Sequence, residues 1–572
     1  MSFVDAHLPL AAFGPWDWGV VAAYFAAMIG IGVFASRRNQ ATEEYFLGGR
    51  SIPSWALAIS IVATTLSAAT FVGVPDLSYN GNLTYLTLSL GGFLAVLIVG
   101  TLFVPKLYSA GTITIYGYLS RRYGEGARIA VSVMFLLGRM LASGARLFIA
   151  AIPLCLLLFA PRGTSAYEAY EPRPWQLVVA ICVIGLVGTF YTMHGGIRTV
   201  IWIDVIQFFI VAGAALLSIA LLLRAIPLPI HGIIKALAEP LPDHHGHGKL
   251  QLVNLTADPN DPYTLWAAVL GSTWLSTAVL GVDQDFAQRF LVSKSASKGA
   301  LSLLWSQLIS VATVAGFMAI GLLLYVFYRR PDLMGTHAPK VIAGRQGAYP
   351  IFLLNELPPV CSGLAIAGFF AIAQGSMDSA INALASSAVA DIYLPLRRMT
   401  GRSTAAERSS RAPKLAVALM GVTMVAFASV CVPLYDPHSR TLIDFALGVM
   451  AFAFTGMLGV FLTALLTRRG NTVSVLGALA AGVVSVVLMQ PGVLPWWTGM
   501  MFHHPCKLAS TWWMPVGTII SFAVCVAGRP ALRDTSLDSG AGERRGFEPV
   551  LPSGAQGPAK FTLREVTPTS PE

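Results

Sequence analysis

One feature limits this chain more than any other: apolar runs of membrane-crossing length, separated by short loops, repeat from about residue 16 to about residue 528. Roughly 20 apolar residues cross a bilayer as a helix, so about thirteen such segments need some 260 residues. The chain has 572, of which 55% are hydrophobic and only 12% charged. That composition excludes a disordered chain and a string of ordinary soluble domains, which carry about 25% charged residues. The windows fall near 16–36, 52–75, 84–108, 128–160, 175–193, 200–224, 263–286, 300–328, 358–392, 413–435, 441–467, 472–490 and 511–528. The expectation is an all-α polytopic membrane protein of about 13 transmembrane helices. Residues 1–528 are expected to form one transmembrane domain, followed at 529–572 by a disordered cytoplasmic tail rich in Gly, Pro, Ser, Arg and Glu.

The formal net charge is +10. In a soluble protein this would point to nucleic acid. Here the basic residues sit in short loops: Arg37 and Arg38; Lys106, Arg121, Arg122 and Arg128; Arg198; Arg289, Lys294 and Lys298; Arg397 through Lys414; Arg468 and Arg469. With thirteen or so spans these loops share one side, which the positive-inside rule makes the cytoplasm. The N-terminus is then outside and the C-terminus inside, in the plasma membrane (a bacterial inner membrane), with the lipid bilayer and not nucleic acid as partner. The loop 329–350 carries Arg329, Arg330, Lys340 and Arg345 on the other side, against the trend. The first residues have no basic stretch before an apolar run, so no cleaved signal peptide is expected. The six cysteines make no CxxC and mostly lie in apolar runs, which suggests neither a disulfide framework nor a zinc site. The run DHHGHG at 243–248 reads as a solvated loop, since no second ligand cluster accompanies it.

Polar residues deep in the spans carry the functional signal. A charge near the bilayer centre costs at least about 2.5–3.5 kcal/mol on the insertion scale. Arg139, Arg146, Asp204 and Asp378 are so placed. Asp378 lies in AIAQGSMDSAINALASS with Ser376, Ser379 and Asn382. Small-residue packing explains the Gly, Ala and Ser of that stretch but not a carboxylate, so a cation, a proton or an arginine must compensate it. Asp204 is either an interfacial acid paired with a loop arginine or part of an internal site. Arg139 and Arg146 share a helix face; Arg139 either takes an anionic solute by a bidentate pair or forms a structural ion pair with an internal acid. Residues 63–70 hold three threonines and a serine. These either back-bond within a packed helix or, if the helix opens there, stand beside main-chain carbonyls fit for a hard cation.

Four segments together resemble the sodium:solute symporter family: EYFLGGRSIPSWALAISIVATTLSAATFVGVP at 44–75, YTMHGGIRTVIWIDVIQ at 191–207, DQDFAQRFLVSKSASKGA at 283–300 and AIAQGSMDSAINALASSAVADIY at 371–393. Within that family the motifs look most like those of bacterial sodium/sialic acid symporters. The resemblance implies the five-helix inverted-repeat fold of the leucine transporter, with core repeats at about 52–224 and 263–467 and a discontinuous first helix in each. It implies a sodium site from the carbonyls of Ala63, Leu66 and Ile372 and the hydroxyl of Ser376, where Gly375 replaces a hydroxyl residue that many members have. It places a second cation site at Asp204, Asp378 and Ser379, again with Gly375 lacking a hydroxyl. It places solute contacts at Thr65, Ser67, Thr70, Tyr85, Ser89 and Arg139, with Tyr85 and Ser89 standing where that subfamily has phenylalanine and glutamine. The implied activity is sodium-coupled import of a small organic solute, carboxylated (sialic-acid-like or another organic anion), by alternating access. Sodium is the coupling ion and the only metal, and no cofactor is involved. The rival on the same fold is proton-coupled or sodium-independent uptake of a sugar or amino acid. An intramembrane enzyme is disfavoured, because no HExxH, GxSxG or internal Cys–His pair appears.

Overall fold

The computed structural model describes residues 13–35, 42–159, 172–240, 248–335, 348–399, 411–434 and 442–529. The run 243–247 and almost all of the tail lie outside them. Among the described residues, eight helices are long and apolar enough to cross a membrane, and the broken pair Ser54–Thr65 and Thr70–Asn80 makes a further span. One of the eight, Pro174–Ala225, has 52 residues. A straight helix of that length would run about 78 Å, against a hydrocarbon core of about 30 Å. It is divided at Gly196, whose φ of 62° and ψ of −174° are not helical. With the shorter apolar helices Ala267–Val282, Ala451–Leu466 and Thr472–Leu488, every apolar window of the sequence is occupied.

In chain order the membrane elements are α1 (Pro15–Ala35), α2 (Ser54–Thr65), α3 (Ala68–Asn80), α4 (Thr84–Ser109), α5 (Glu125–Phe159), α6 (Pro174–Ala225), α7 (Ala267–Val282), α8 (Gln284–Leu291), α9 (Ala296–Arg329), α10 (Cys361–Ser387), α11 (Arg411–Leu434), α12 (Leu442–Leu466), α13 (Thr472–Leu488) and α14 (Trp513–Ala527). The centre is α10: its apolar window is 94% buried, against 28% for that of α1. This is why α10 tolerates so many polar residues; none of them meets lipid. Both halves of α6 lie along it. A Cβ on Gly188 would lie 3.0 Å from Asp378, while Gly375 faces Asp204 and Gln207. Residues eight before and eight after Gly196 therefore reach the same stretch of α10, which makes the break a reversal between two spans.

Two further breaks position the site. α2 gives way to α3 through extended residues Leu66 and Ser67, with a bend of 67°. α7 gives way to α8 at Asp283, whose φ and ψ of −84° and 120° are extended. These are the discontinuous first helices of the two repeats. The second corrects the sequence reading. The window 263–286 does not end at the membrane surface with Arg289 in a loop; the chain runs on as α8, and Asp283, Asp285 and Arg289 are all buried.

Side chains from helix ends and connections clasp neighbouring helix ends. Asp17 accepts hydrogen bonds at 2.8 Å from the amides of Val360 and Gly363 at the start of α10, satisfying donors that a helix N-terminus leaves free. Lys249, from the connection before α7, donates to the carbonyls of Tyr79 at 2.6 Å and Gly81 at 2.9 Å at the end of α3. Its ammonium lies 4.2 Å from the centre of the Tyr325 ring. Helices meet through small residues, as expected in a bilayer: a Cβ on Gly421 would run into the Thr189 side chain.

The Gly196 conformation lies in a region essentially restricted to glycine. Gly196→Ala is expected to cost about 1–3 kcal/mol, read as a lower melting temperature in detergent. Gly213→Ala, at a helical position with open space around it, keeps or raises that temperature.

Candidate functional site

The site grows from the α2–α3 break. In an unbroken helix the amides of Ser67 and Thr70 would bind the carbonyls of Ala63 and Leu66. Here Ser67 N donates instead to Thr70 Oγ1 at 3.3 Å, and Thr70 N donates to Ser67 Oγ at 3.4 Å. This reciprocal cap restarts the chain as α3 and leaves those two carbonyls outside the helical ladder. They are the two carbonyls that the resemblance implies as the first half of a sodium site. The Ser and Thr of 63–70 thus divide their work. Thr64 and Thr65 back-bond to Ser60 and Ile61 at 2.9 and 2.6 Å, while Ser67 and Thr70 cap. Thr65 is exposed beside the break, between buried neighbours.

Across from the break stands α10. Ile372 and Ser376 are buried within its continuous part, and the Ser376 hydroxyl donates to Ala373 O at 3.1 Å. Gly375 is the point of closest approach. A Cβ there would lie 2.8 Å from Gln207 Oε1, 3.5 Å from Asp204 Oδ1 and 3.8 Å from Ala63 O. Neither Asp204 Oδ1 nor Gln207 Oε1 has a hydrogen-bond partner among the described residues. Three acceptor oxygens from α2 and α6 therefore converge on a glycine of α10. Oxygen sets of this kind suit hard cations.

The other oxygen of Asp204 belongs to a chain of buried ion pairs. Asp204 Oδ2 accepts from Ser60 Oγ at 2.5 Å and from Arg289 Nη2 at 3.0 Å. Arg289 also donates to Thr64 Oγ1, to Ser379 Oγ at 2.6 Å and to Asp285 Oδ1 at 2.9 Å. Asp285 then meets Arg139, whose second terminal nitrogen donates to Asp283 at 2.9 Å. Both arginines and all three carboxylates are at most 1% exposed. One guanidinium thus holds α8 to α2, α6 and α10, and the other holds α5 to the α7–α8 break.

Asp378 stands apart from this chain. Its Oδ2 accepts from the Tyr191 hydroxyl, and its Oδ1 has no partner among the described residues. Beside it, Tyr24 donates to Gln374 Oε1 at 2.8 Å and accepts from Gln207 Nε2 at 3.0 Å.

These contacts revise several expectations. Asp204 and Ser379, assigned to a second cation, are joined by Arg289, and Asp378 is met by a tyrosine hydroxyl rather than by a charge. Arg139 has both terminal nitrogens on internal carboxylates, the structural ion pair that the sequence left open beside an anion site. Thr65, Ser67 and Thr70 are gathered at the break. Tyr85 and Ser89 have other neighbours: the Tyr85 ring packs edge-on to Tyr263, with centres 5.7 Å apart, and the Ser89 carbonyl accepts from Gln307 at 3.3 Å. Arg289, Asp283, Asp285, Gln207 and Tyr191 were not singled out from the sequence. The signal was the charge density of DQDFAQRF beside an apolar run, which a helix assumed continuous hides. Among the described residues no group of three or more His, Cys, Asp and Glu side chains is placed to hold a metal ion.

A model of the sodium:solute symporter family matches residues 45–485. The chain is 28% identical over 505 residues to the sodium/sialic acid symporter SiaT of Proteus mirabilis, covering 85% of this chain and 91% of that protein. It is 26% identical to the human sodium/iodide cotransporter, over 82% of this chain and 69% of that one. It is 27% identical to the mouse sodium-coupled monocarboxylate transporter 1, over 84% and 74%. Among solved structures, a Na+-coupled sialic acid symporter in a substrate-bound, outward-open state is similar with a TM-score of 0.74 at 25% identity, covering 90% of this chain and 97% of that one. The nucleobase-cation-symport-1 transporter Mhp1, at 14% identity and a TM-score of 0.50 over 86% of this chain and 94% of that one, shares the fold.

Removing one partner of a buried ion pair costs about 3–5 kcal/mol, because the other charge is left uncompensated. Arg289→Gln is expected to lower the melting temperature sharply, and adding Asp204→Asn to that variant recovers part of the loss. No recovery in the double variant would place the cost elsewhere than in this pair.

Proposed function

The chain belongs to the sodium:solute symporter family and is a sodium-coupled symporter of an organic solute; on that premise we propose that it imports a carboxylated solute by alternating access. The observation that carries this reading is the α2–α3 break, which takes the carbonyls of Ala63 and Leu66 out of the helical ladder and sets Ala63 O near Gly375 of α10. In this proposal sodium binds the carbonyls of Ala63, Leu66 and Ile372 and the Ser376 hydroxyl. Its charge joins α2 to α10, and this joins the solute pocket to the ion. Ion and solute then bind with positive coupling, each raising the affinity for the other by the same factor. A second cation sits at the unpartnered oxygens Asp204 Oδ1 and Asp378 Oδ1, supported by Gln207 Oε1, while Ser379 serves the Arg289 guanidinium. The solute lies at the break against Thr65, Ser67 and Thr70, with Tyr85 and Ser89 on the wall of α4. The weak 3.3–3.4 Å caps of Ser67 and Thr70 are exchangeable for bonds to solute. Residues 1–528 act as one transporter domain, with the N-terminus outside and residues 529–572 in the cytoplasm. An inward-negative potential adds about 2.3 kcal/mol per charge per 100 mV. No covalent step is called for.

A carboxylated solute fits the relatives, whose names give sialic acid and monocarboxylates as cargo. On this reading Arg139 exchanges Asp283 or Asp285 for the solute carboxylate. A second reading has its own support. With both terminal nitrogens already on carboxylates, Arg139 is a fixed structural cation and the solute is a neutral sugar or amino acid.

A thermal-shift panel on purified protein separates the two readings, with sodium or choline crossed against sialic acids, simple carboxylates, sugars and amino acids. A ligand at about 100 times its Kd stabilises by about 2.7 kcal/mol. The expected result is a shift that needs both sodium and a carboxylate and disappears in Arg139→Ala. A sodium-dependent shift with a neutral solute selects the second reading, and no sodium effect removes the coupling-ion assignment. Asp378→Asn is expected to lower sodium affinity and the sodium Hill coefficient. Unchanged values take Asp378 out of the second cation site.

A further inference from the structure

A groove of about 590 Å³ lies on the outer flank of the bundle, between the start of α2 and the first turns of α9. Its walls are apolar, formed chiefly by Trp55, Ile59, Leu301 and Trp305, and its mouth carries Lys294 and Lys298. The two tryptophans are 52% and 50% exposed, on elements that cross the membrane. Both lysines are exposed, and neither makes an ion pair among the described residues.

The backbone adds to this charge. α2 and α9 both begin here, and a bridge between Ile52 and Ser293 brings the two starts together. Ser295 caps α9 and accepts from Lys298 N at 3.3 Å, holding Lys298 in the first helical turn. Two helix N-termini and two ammonium groups thus share one mouth. N-terminal amides and the helix dipole favour a phosphate, and the lysines supply its counter-charge. The solute site explains none of these features.

We propose that this groove binds an anionic phospholipid, with the phosphate between Lys294, Lys298 and the two helix starts and an acyl chain along Ile59, Leu301 and Trp305. The walls favour lipid over a soluble anion, since an apolar trough opening to the hydrocarbon gives a free phosphate nothing to bind. Exposed tryptophans mark the headgroup level, and the mouth lies at the end where the basic loops gather, the side on which anionic lipids attract polybasic segments. The lipid clamps the start of α2, the half-helix whose other end is the break. Any movement of α2 away from α9 therefore competes with lipid binding.

The test uses the full-length protein in vesicles of phosphatidylcholine with and without phosphatidylglycerol, with retained lipid read by native mass spectrometry and stability by melting temperature. Wild type is expected to retain phosphatidylglycerol selectively and to be stabilised by it. The double variant Lys294→Gln, Lys298→Gln loses that retention by roughly 10- to 30-fold, at about a kilocalorie per mole for each basic residue. Lys235→Gln, which removes one charge outside the groove, leaves it intact. Trp305→Ala weakens retention without changing the headgroup preference. Equal retention of the two lipids by wild type, or unchanged selectivity in the double variant, overturns the proposal. Stabilisation by inorganic phosphate or glycerol 1-phosphate equal to that by phosphatidylglycerol also overturns it, by making the site one for soluble anions. The variants' sodium-dependent thermal shift reports that they are folded.

Discussion

Backbone in a bilayer must satisfy its own hydrogen bonds, because lipid offers none. The architecture follows from where the chain disobeys that rule. At Leu66–Ser67 and at Asp283 the helix ladder stops within a span. Each stop is tolerated because protein surrounds it. The freed amides at the first break are taken by Ser67 and Thr70, and at the last Asp283 caps α8 by accepting from the Asp285 amide at 2.9 Å. Among the described residues Asp204 Oδ1, Asp378 Oδ1 and Gln207 Oε1 have no partner, and the Ala63 and Leu66 carbonyls stand outside the helical ladder. Exposed to lipid such oxygens would be intolerable; in a protein-lined centre they are the ligands of the proposed function.

The ion pairs hold this centre together. Two isolated charges in a low-dielectric interior cost several kilocalories per mole each, and a pair recovers that only with good geometry and satisfied remaining donors. Arg289 meets the condition: its three nitrogens reach Ser60, Asp285, Thr64, Asp204 and Ser379. Such a pairing contributes little net stability over apolar packing, but it fixes which helices meet, since slippage by one turn strands a charge. A transporter needs that definition. Its helices must rock between arrangements without sampling many others, and a cluster tying α8 to α2, α6 and α10 leaves few alternatives.

The spans were legible in the sequence because apolar length is a local signal; the threonine-rich run 63–70 left a packed helix and an opened one equally open, and only the family resemblance implied the first break. The site was legible where a polar residue interrupts a long apolar run, as at Arg139, Asp204 and Asp378. It was not legible at Asp283, Asp285 and Arg289. There the helix break lets charges that read as the end of a span lie inside the protein, and the positive-inside rule then claimed Arg289 for a loop. Gln207 and Tyr191 escaped for a different reason. An amide or phenol in an apolar run is common, and only the close approach of α6 and α10, with Gly188 bare beside Asp378 and Gly375 bare beside Gln207, shows what these two face. The partner of Asp204 was likewise a long-range fact: Arg289 lies 85 residues on, and nothing in the local pattern joins them.

Charge balance in this centre bears on how the ion couples. Inside the bundle, Arg139, Arg146 and Arg289 stand with Asp204, Asp283, Asp285 and Asp378, so that full ionisation leaves one carboxylate more than there are guanidiniums. The chain's own side chains there do not close that balance. On the proposed reading a bound monovalent cation closes it where α2, α6 and α10 meet, so that its arrival strengthens contacts between helices of different repeats and its departure loosens them. Gly375 matters in this scheme because it adds no atom of its own. A side chain there would meet Gln207 Oε1 at 2.8 Å, whereas bare backbone leaves the oxygens of α2 and α6 free to approach an ion. The missing hydroxyl at this position thus trades one neutral ligand for access to a carboxylate and an amide oxygen, and the carboxylate is the stronger ligand for a hard cation.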